Sequence, residues 1–237
     1  MHPETGLISR RVFLAGSASG VVLANLGVTT AAFGAASFIS RTKNRTRLPE
    51  PGPMLPPVPA VLLTVKGNAG LPDEISVVWT FVVNGDPPQV GVSVNRKHVA
   101  RRYIAEHSEF VLNVPVAEIV EPFDRVDMNT HNVADKFKLS GLTRGRAVAV
   151  DAPTVEECPI HVECKVFDEV DVPPTRTLFL AKVVATTVLD GVCDKTGRLI
   201  VPKVPFFGMT AGSGEFYTMG KRVGHIGQTV GRRDIKY

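Results

Sequence analysis

The residues best equipped for chemistry lie close together at Cys158-Pro-Ile-His161-Val-Glu163-Cys164, where two thiols flank an imidazole and a carboxylate. Zinc is the metal such a set suggests. Extended backbone argues against it, because positions 158, 160, 162 and 164 face one way while His161 and Glu163 face the other. In a strand the two sulfurs also stand roughly 20 Å apart, far beyond disulfide reach. Both thiols are therefore expected as buried structural residues. The other histidines of the body, His98, His107, His131 and His225, show no ligand spacing. The chain carries no nucleophile elbow, phosphate loop, dinucleotide fingerprint or His-Glu-x-x-His pair. No side chain is assigned a catalytic role and no metal is expected. If the protein is an enzyme, its reactivity must come from a bound organic cofactor.

The elements that position such a cofactor sit in a chain of 237 residues, 44% hydrophobic and 21% charged, which is ordinary for one packed body with appendages. Three cysteines are too few to staple it, so stability must come from a core. The net charge of +4 is unevenly placed. Six of the 27 basic residues but only two of the 23 acidic ones precede position 60, leaving 21 of each in the rest. A neutral body argues against nucleic-acid binding.

The N-terminus reads Ser9-Arg10-Arg11-Val12-Phe13-Leu14, followed by an uncharged Gly-, Ala- and Ser-rich run to Ser40. Paired arginines ahead of a mildly apolar stretch resemble the twin-arginine export signal of bacteria. The segment is either removed near Gly34-Ala35-Ala36 or kept as a single membrane anchor, since it is long enough to span a bilayer. Either outcome places the body outside the cytoplasm, periplasmic or on the outer face of the cytoplasmic membrane. Residues 1–40 are thus read as signal or anchor, and residues 41–59 as a basic linker ending in six prolines within 48–59. Residues 60–237 are read as the folded domain.

Within that domain the apolar runs are short, β-branched and separated by turn residues: Val61–Val65, Ile75–Val83, Val90–Val94, Phe110–Val114, Ala147–Val150, Ile160–Val170 and Leu178–Leu189. Two segments carry a helical pattern, His98–His107 and Val116–Phe123. Many strands and few helices predict a mainly β closed or partly closed barrel rather than a doubly wound parallel sheet.

Several blocks, in order, resemble the flavin reductase family of FMN-binding split β-barrels that includes flavoredoxins and ferric reductases. They are Pro59-Ala-Val-Leu-Leu-Thr-Val, Leu71-Pro-Asp73-Glu-Ile-Ser-Val-Val-Trp79-Thr80, Pro87-Pro88-Gln-Val-Gly-Val-Ser93-Val, and Glu109-Phe-Val-Leu-Asn113-Val-Pro115. Asp135-Lys136-Phe137, Ser140-Gly-Leu-Thr143, Ala152-Pro153 and the closing Phe216-Tyr217-Thr-Met-Gly220 complete the set. The resemblance implies a homodimer of Greek-key split barrels with about six strands and a few short helices, holding FMN near the subunit interface. It also implies electron flow from NAD(P)H or a redox protein through the flavin to free flavin, ferric iron or a protein acceptor.

By the same resemblance, Lys136 would meet the flavin phosphate or the ring's electronegative edge, and Trp79 would wall the ring, with Thr80 beside it. Ser93 and Asn95 would supply polar contacts. Three cofactor-lining positions depart from the family pattern: Asp73 stands for an Asn, Ala100 for a Thr and Arg176 for a His. Asp73 would repel an anionic ligand unless paired with Arg176, Arg96 or Lys136. Arg176 would offer the phosphate a two-pronged clamp in place of the imidazole. The competing reading is a split barrel that keeps the fold as a non-catalytic binding module or an electron carrier with an altered site.

Overall fold

A computed structural model describes residues 47–129 and 135–231, and residues 1–40, read above as an export signal or anchor, lie outside them. The chain divides into units of residues 1–49 and 50–237. Among the described residues no helix is long and apolar enough to cross a membrane. The first strands are β1 (Val58–Pro59), β2 (Leu62–Val65), β3 (Glu74–Val77), β4 (Trp79–Asn84) and β5 (Gln89–Asn95). Helix α1 (Val99–His107) leads to β6 (Glu109–Val114), then α2 (Val120–Met128) and α3 (Lys136–Ser140) follow. The chain continues through β7 (Arg144–Arg146), β8 (Pro153–Val155), the long hairpin β9 (Ile160–Val172) and β10 (Arg176–Val188), and finally β11 (Phe207–Met209) and β12 (Phe216–Thr218).

Seven strands form one sheet in the order β3-β2-β6-β9-β10-β5-β4, each neighbour antiparallel. Strands β3 and β4 are the two ends of that order, yet only Val78 separates them in the chain. Two residue steps span about 7 Å at most, so the sheet must curl until its ends nearly meet. The fold is thus a mainly β split barrel, with seven strands in the sheet where about six were expected. The predicted run Ile75–Val83 is broken into two strands at this link.

Core packing follows from strand alternation. Leu63, Val65, Val78, Val92, Val94, Leu112, Cys164, Phe179 and Ala181 fill the barrel with Ala100, Tyr103 and Ile104 of α1. Leu62, Ile75 and Val77 point outward and are covered by Phe123 and Val126 of α2, Phe137 of α3 and Phe207 of β11. Strand β2 is therefore buried on both faces, which explains a sequence apolar at every position but Thr64. Cys158 belongs to the outer cluster and Cys164 to the inner one, so the two thiols are separated by the sheet. Burial, helped by Glu157, pushes the Cys158 thiol up, and burial with Glu163 pushes Cys164 up to about 12. Neither is a thiolate near neutral pH.

Three sequence expectations are corrected. Ala147–Val150 is a bend rather than a strand, because the N–H groups of Val148, Ala149 and Val150 donate to the Glu163 carboxylate at 2.6 to 3.2 Å instead of to a ladder. The segment predicted helical over Val116–Phe123 begins as a 3-10 turn at Ala117–Ile119 and continues as α2 to Met128. Strand pairing begins at Val58, inside the stretch assigned to the linker, because β1 pairs with β11.

Glu163 is fully buried, and its charge is held by backbone donors alone among the described residues. Glu163→Gln should therefore lower unfolding free energy by about 2 kcal/mol, the worth of hydrogen bonds to a buried charge. Urea denaturation reads this as a lower midpoint with an unchanged slope, and an unchanged midpoint would mean that the bend does not depend on the carboxylate.

Candidate functional site

The expected cofactor residues fall into two groups. Lys136 sits at the start of α3, whose N-terminus is capped by the Asp135 carboxylate accepting from the Lys138 N–H at 3.3 Å. Its side chain is 1% exposed. The ammonium donates to the Glu74 carboxylate and to the Ile75 carbonyl at 3.2 Å, while Ser76 donates to the same carboxylate at 2.7 Å. Burial raises the Glu74 pKa against the pull of Lys136, and burial lowers the Lys136 pKa against the pull of Glu74. Lys136, expected at the phosphate or the ring's electronegative edge, thus has its charge spent inside the protein.

Asp73 lies at the rim of this pair. Its Oδ1 accepts from the Gly67 N–H at 2.9 Å, and its Oδ2 lies 3.6 Å from Arg144 Nε. The partner that quenches Asp73 is therefore Arg144, not Arg176, Arg96 or Lys136. Arg144 also donates to Asp135 at 2.5 Å and lies 4.3 Å over the Phe137 ring. Partial burial would raise the Asp135 pKa, but the bonds from Arg144 and the Lys138 N–H, with both positive charges, bring it below the usual value. Gly67 has no room for a side chain, since a Cβ there would stand 2.4 Å from the Leu71 and Pro72 carbonyl oxygens. These contacts clamp the β2–β3 loop onto α3 and β7.

The second group lies on the outer face of the other half of the sheet. Trp79 of β4 is opposite Ser93 of β5, which is opposite Leu178 of β10. Two positions along the same face, Asn95 is opposite Arg176. Trp79 is 42% exposed, and the Arg176 guanidinium carbon lies 3.7 Å from its ring centroid. Arg176 Nη1 donates to the Ser93 carbonyl at 2.9 Å. No carboxylate forms an ion pair with Arg176 among the described residues. Nearby Asp171 is bound by Arg96 at 2.9 Å and Glu169 by Arg101 at 2.6 Å. Burial without a compensating anion lowers the Arg176 pKa from its ordinary value. Asn95 Oδ1 accepts from the Lys97 N–H at 3.0 Å and so shapes the approach to α1.

Two expected residues do not join this face. Thr80 alternates to the side of Val92 and Phe179, and its hydroxyl donates to the Gly91 carbonyl at 3.0 Å. Ala100 is fully buried with Tyr103 and Ile104 in the barrel core, where its side chain meets no ligand on the outer face. Two others were missed. Glu74 is an acid at the head of the buried strand β3, directly before the apolar run from Ile75. Phe81 lies two positions beyond Trp79, 48% exposed, with its ring over Gly91, where a Cβ would stand 2.5 Å from Cζ. A glycine opposite an aromatic residue was its only signal.

His161 Nε2 lies 2.9 Å from the Val155 carbonyl and its Nδ1 3.2 Å from the Thr187 hydroxyl, while Glu163 is taken up by the bend. A concavity of about 470 Å³ is lined by Glu118, Glu156, Glu157, Asp190 and Lys203 among others, and it includes neither Trp79 nor Arg176. On the outer face, a half-exposed aromatic ring stacked against a cation with no anion among the described residues, with Ser93 and Asn95 beside it, suits a planar anionic ligand.

Comparison with known proteins agrees with this architecture. The pattern of the flavin reductase like domain matches residues 56–199. An uncharacterized protein of Pyrococcus abyssi is 31% identical over 125 residues, covering 53% of this chain and 71% of that protein. Flavoredoxin of Desulfovibrio vulgaris (Miyazaki F) superposes with a TM-score of 0.70 at 22% identity, covering 77% of this chain and 97% of its own. Flavoredoxin from Methanosarcina acetivorans gives 0.69 at 22% identity, covering 78% and 100% respectively.

If the Lys136 charge serves only Glu74, Lys136→Met alone should destabilise the fold by about 3 kcal/mol by stranding a buried carboxylate, and Glu74→Leu added to it should restore most of the loss. Urea denaturation of the two single variants and the double variant checks this. Failure of the second change to rescue the first would give Lys136 another role. The pH dependence has a definite sign for each partner. The raised Glu74 pKa contributes stability present below about 4.5 and lost as pH rises through its folded value. The depressed Lys136 pKa contributes stability present above about 10.5 and lost as pH falls through its folded value. The double variant should therefore flatten the stability profile between these limits relative to the parent.

Proposed function

Because the chain belongs to the flavin reductase-like family, we propose that it is an exported FMN-binding oxidoreductase that takes electrons from NAD(P)H or a redox protein. Its acceptor is free flavin, ferric iron or a protein. The observation that carries this reading is the outer sheet face, where the half-exposed Trp79 ring is stacked against a cation that has no anion among the described residues. FMN, when bound, supplies the redox chemistry. The chain supplies the wall at Trp79, the positive charge at Arg176 and polar edges at Ser93 and Asn95. With Lys136 sealed in its pair with Glu74, Arg176 is the expected site cation left to meet the phosphate.

That face is open in a single chain. Trp79, Phe81, Val170 and Val172 are each between 41% and 48% exposed, a density of large apolar groups that favours burial against another surface. A homodimer formed through this face would enclose the ligand on its second side. Export rests on Arg10 and Arg11 and the uncharged stretch after them. It also bears on the donor, since reduced nicotinamides are cytoplasmic, and it favours a redox protein as the source of electrons. The segment to Ser40 either is cut away or anchors the protein to the membrane.

A second reading is supported by Lys136 and Ala100, two expected cofactor contacts whose side chains are sealed in the interior. In that reading the barrel is a non-catalytic binding module or an electron carrier. An absorbance spectrum separates the two. The enzyme reading expects flavin bands retained through gel filtration and bleached by NADH, NADPH or a reducing partner, whereas protein that stays colourless after incubation with FMN would refute it. Arg10→Lys together with Arg11→Lys should hold the protein in the cytoplasm in a fractionation experiment, and undiminished export would contradict the twin-arginine reading.

A further inference from the structure

The Arg176 guanidinium lies against the surface that a flavin ring would use. At 3.7 Å from the Trp79 centroid it fills the contact layer over that ring face, and a planar ligand cannot occupy the same layer. It is held there by its bond to the Ser93 carbonyl and by the stack itself, with no ion pair among the described residues. Across the strand pairing Arg176 faces Val172 and its neighbour Leu178 faces Val170, while Asp171 and Glu169 stand opposite the inward Thr177 and Phe179 and are taken by Arg96 and Arg101. The stack is thus weakly held and its charge is uncommitted.

We infer that Arg176 is a displaceable cap on Trp79 that makes the site selective for planar ligands carrying an anionic group. This inference rests on the flavin reading above and goes beyond it by naming how the ligand is chosen. A phosphate offers the guanidinium a stronger, two-pronged partner than an indole face does. Drawn to the phosphate, Arg176 leaves both the ring face of Trp79 and the Ser93 carbonyl open, and the planar part of the same ligand takes the vacated face. A planar ligand without the anion must break the Arg176–Trp79 stack with nothing in exchange. A partly exposed stack of this kind corresponds to about fivefold in binding. Selectivity for the phosphorylated over the unphosphorylated flavin therefore has two sources, attraction of one and obstruction of the other.

Obstruction and attraction predict effects of opposite sign, which an ordinary phosphate contact does not. Trp79 is the only tryptophan of the chain, so its emission reports the cap directly. The test titrates the full-length protein and its Arg176→Gln and Arg176→Lys variants with FMN, riboflavin and inorganic phosphate. Arg176→Gln should weaken FMN about tenfold and tighten riboflavin about fivefold. Arg176→Lys keeps the charge but loses the planar fork, so it should hold FMN within about threefold while still tightening riboflavin. Inorganic phosphate should shift Trp79 emission in the parent protein and not in Arg176→Gln, and acrylamide should quench unliganded Trp79 more readily in both variants.

Riboflavin weakened or unchanged in Arg176→Gln, with FMN still bound by the parent, would overturn the cap alone. It would mean that the ring rests on the guanidinium or elsewhere. A parent protein that binds neither flavin would overturn the flavin reading together with the cap.

Discussion

Closure of the sheet at Val78 is the constraint from which the remaining geometry follows. The two ends of a seven-stranded order are joined by one residue, so the sheet has no choice but to curl. The curl gives an inside, filled by strand side chains, Val78 and one face of α1, and an outside that is covered over β2, β3 and the start of β9 but open at Trp79 and Phe81 of β4 and at Val170 and Val172 near the far end of the β9–β10 hairpin. Strand alternation then decides the fate of each residue around the link: Val78 goes into the barrel, while Val77 and Trp79 point outward. Val77 is roofed by helices and Trp79 is not. The candidate site is the unroofed part of the barrel's own outer surface.

Two arginines and a lysine show how charge is divided between holding the fold and leaving a ligand something to meet. Lys136 and Glu74 neutralise each other in the interior, and Arg144 joins Asp73 and Asp135 at their edge. A buried pair of this kind contributes little net stability but fixes the placement of α3 against β3, because either charge left alone is costly. Arg176 differs in having an aromatic ring and a carbonyl as its neighbours and no anion. Among the expected site residues, Lys136 and Asp73 are thus already paired, and Arg176 has no anion among the described residues.

The sequence made the strands legible because β-branched runs between Gly, Pro and Asn turns leave few alternatives, and it made the barrel legible through the order of family-like blocks. It made α1 legible through the burial side of Tyr103 and Ile104. What it hid was long-range. The bend at Val148–Val150 reads as a strand because its captor, Glu163, lies 13 or more positions away and claims donors that a ladder would otherwise use. Lys136 is expected at the flavin phosphate or ring edge from its place in the Asp135-Lys136-Phe137 block, and nothing near it in sequence reveals Glu74, 62 positions earlier, as its partner. Trp79 and Arg176 were both identified as site residues, but their contact was not, since it depends on the register of β4, β5 and β10.

The central claim is that the bare outer face at Trp79 and Arg176 receives a planar anionic ligand. A crystal structure of the protein soaked in FMN addresses it most directly. The account predicts density for the flavin ring against the indole of Trp79 and for the phosphate at the Arg176 guanidinium, lifted from its present stack. Flavin bound in another part of the molecule, or this face closed over by the protein's own residues with no ligand present, would contradict it.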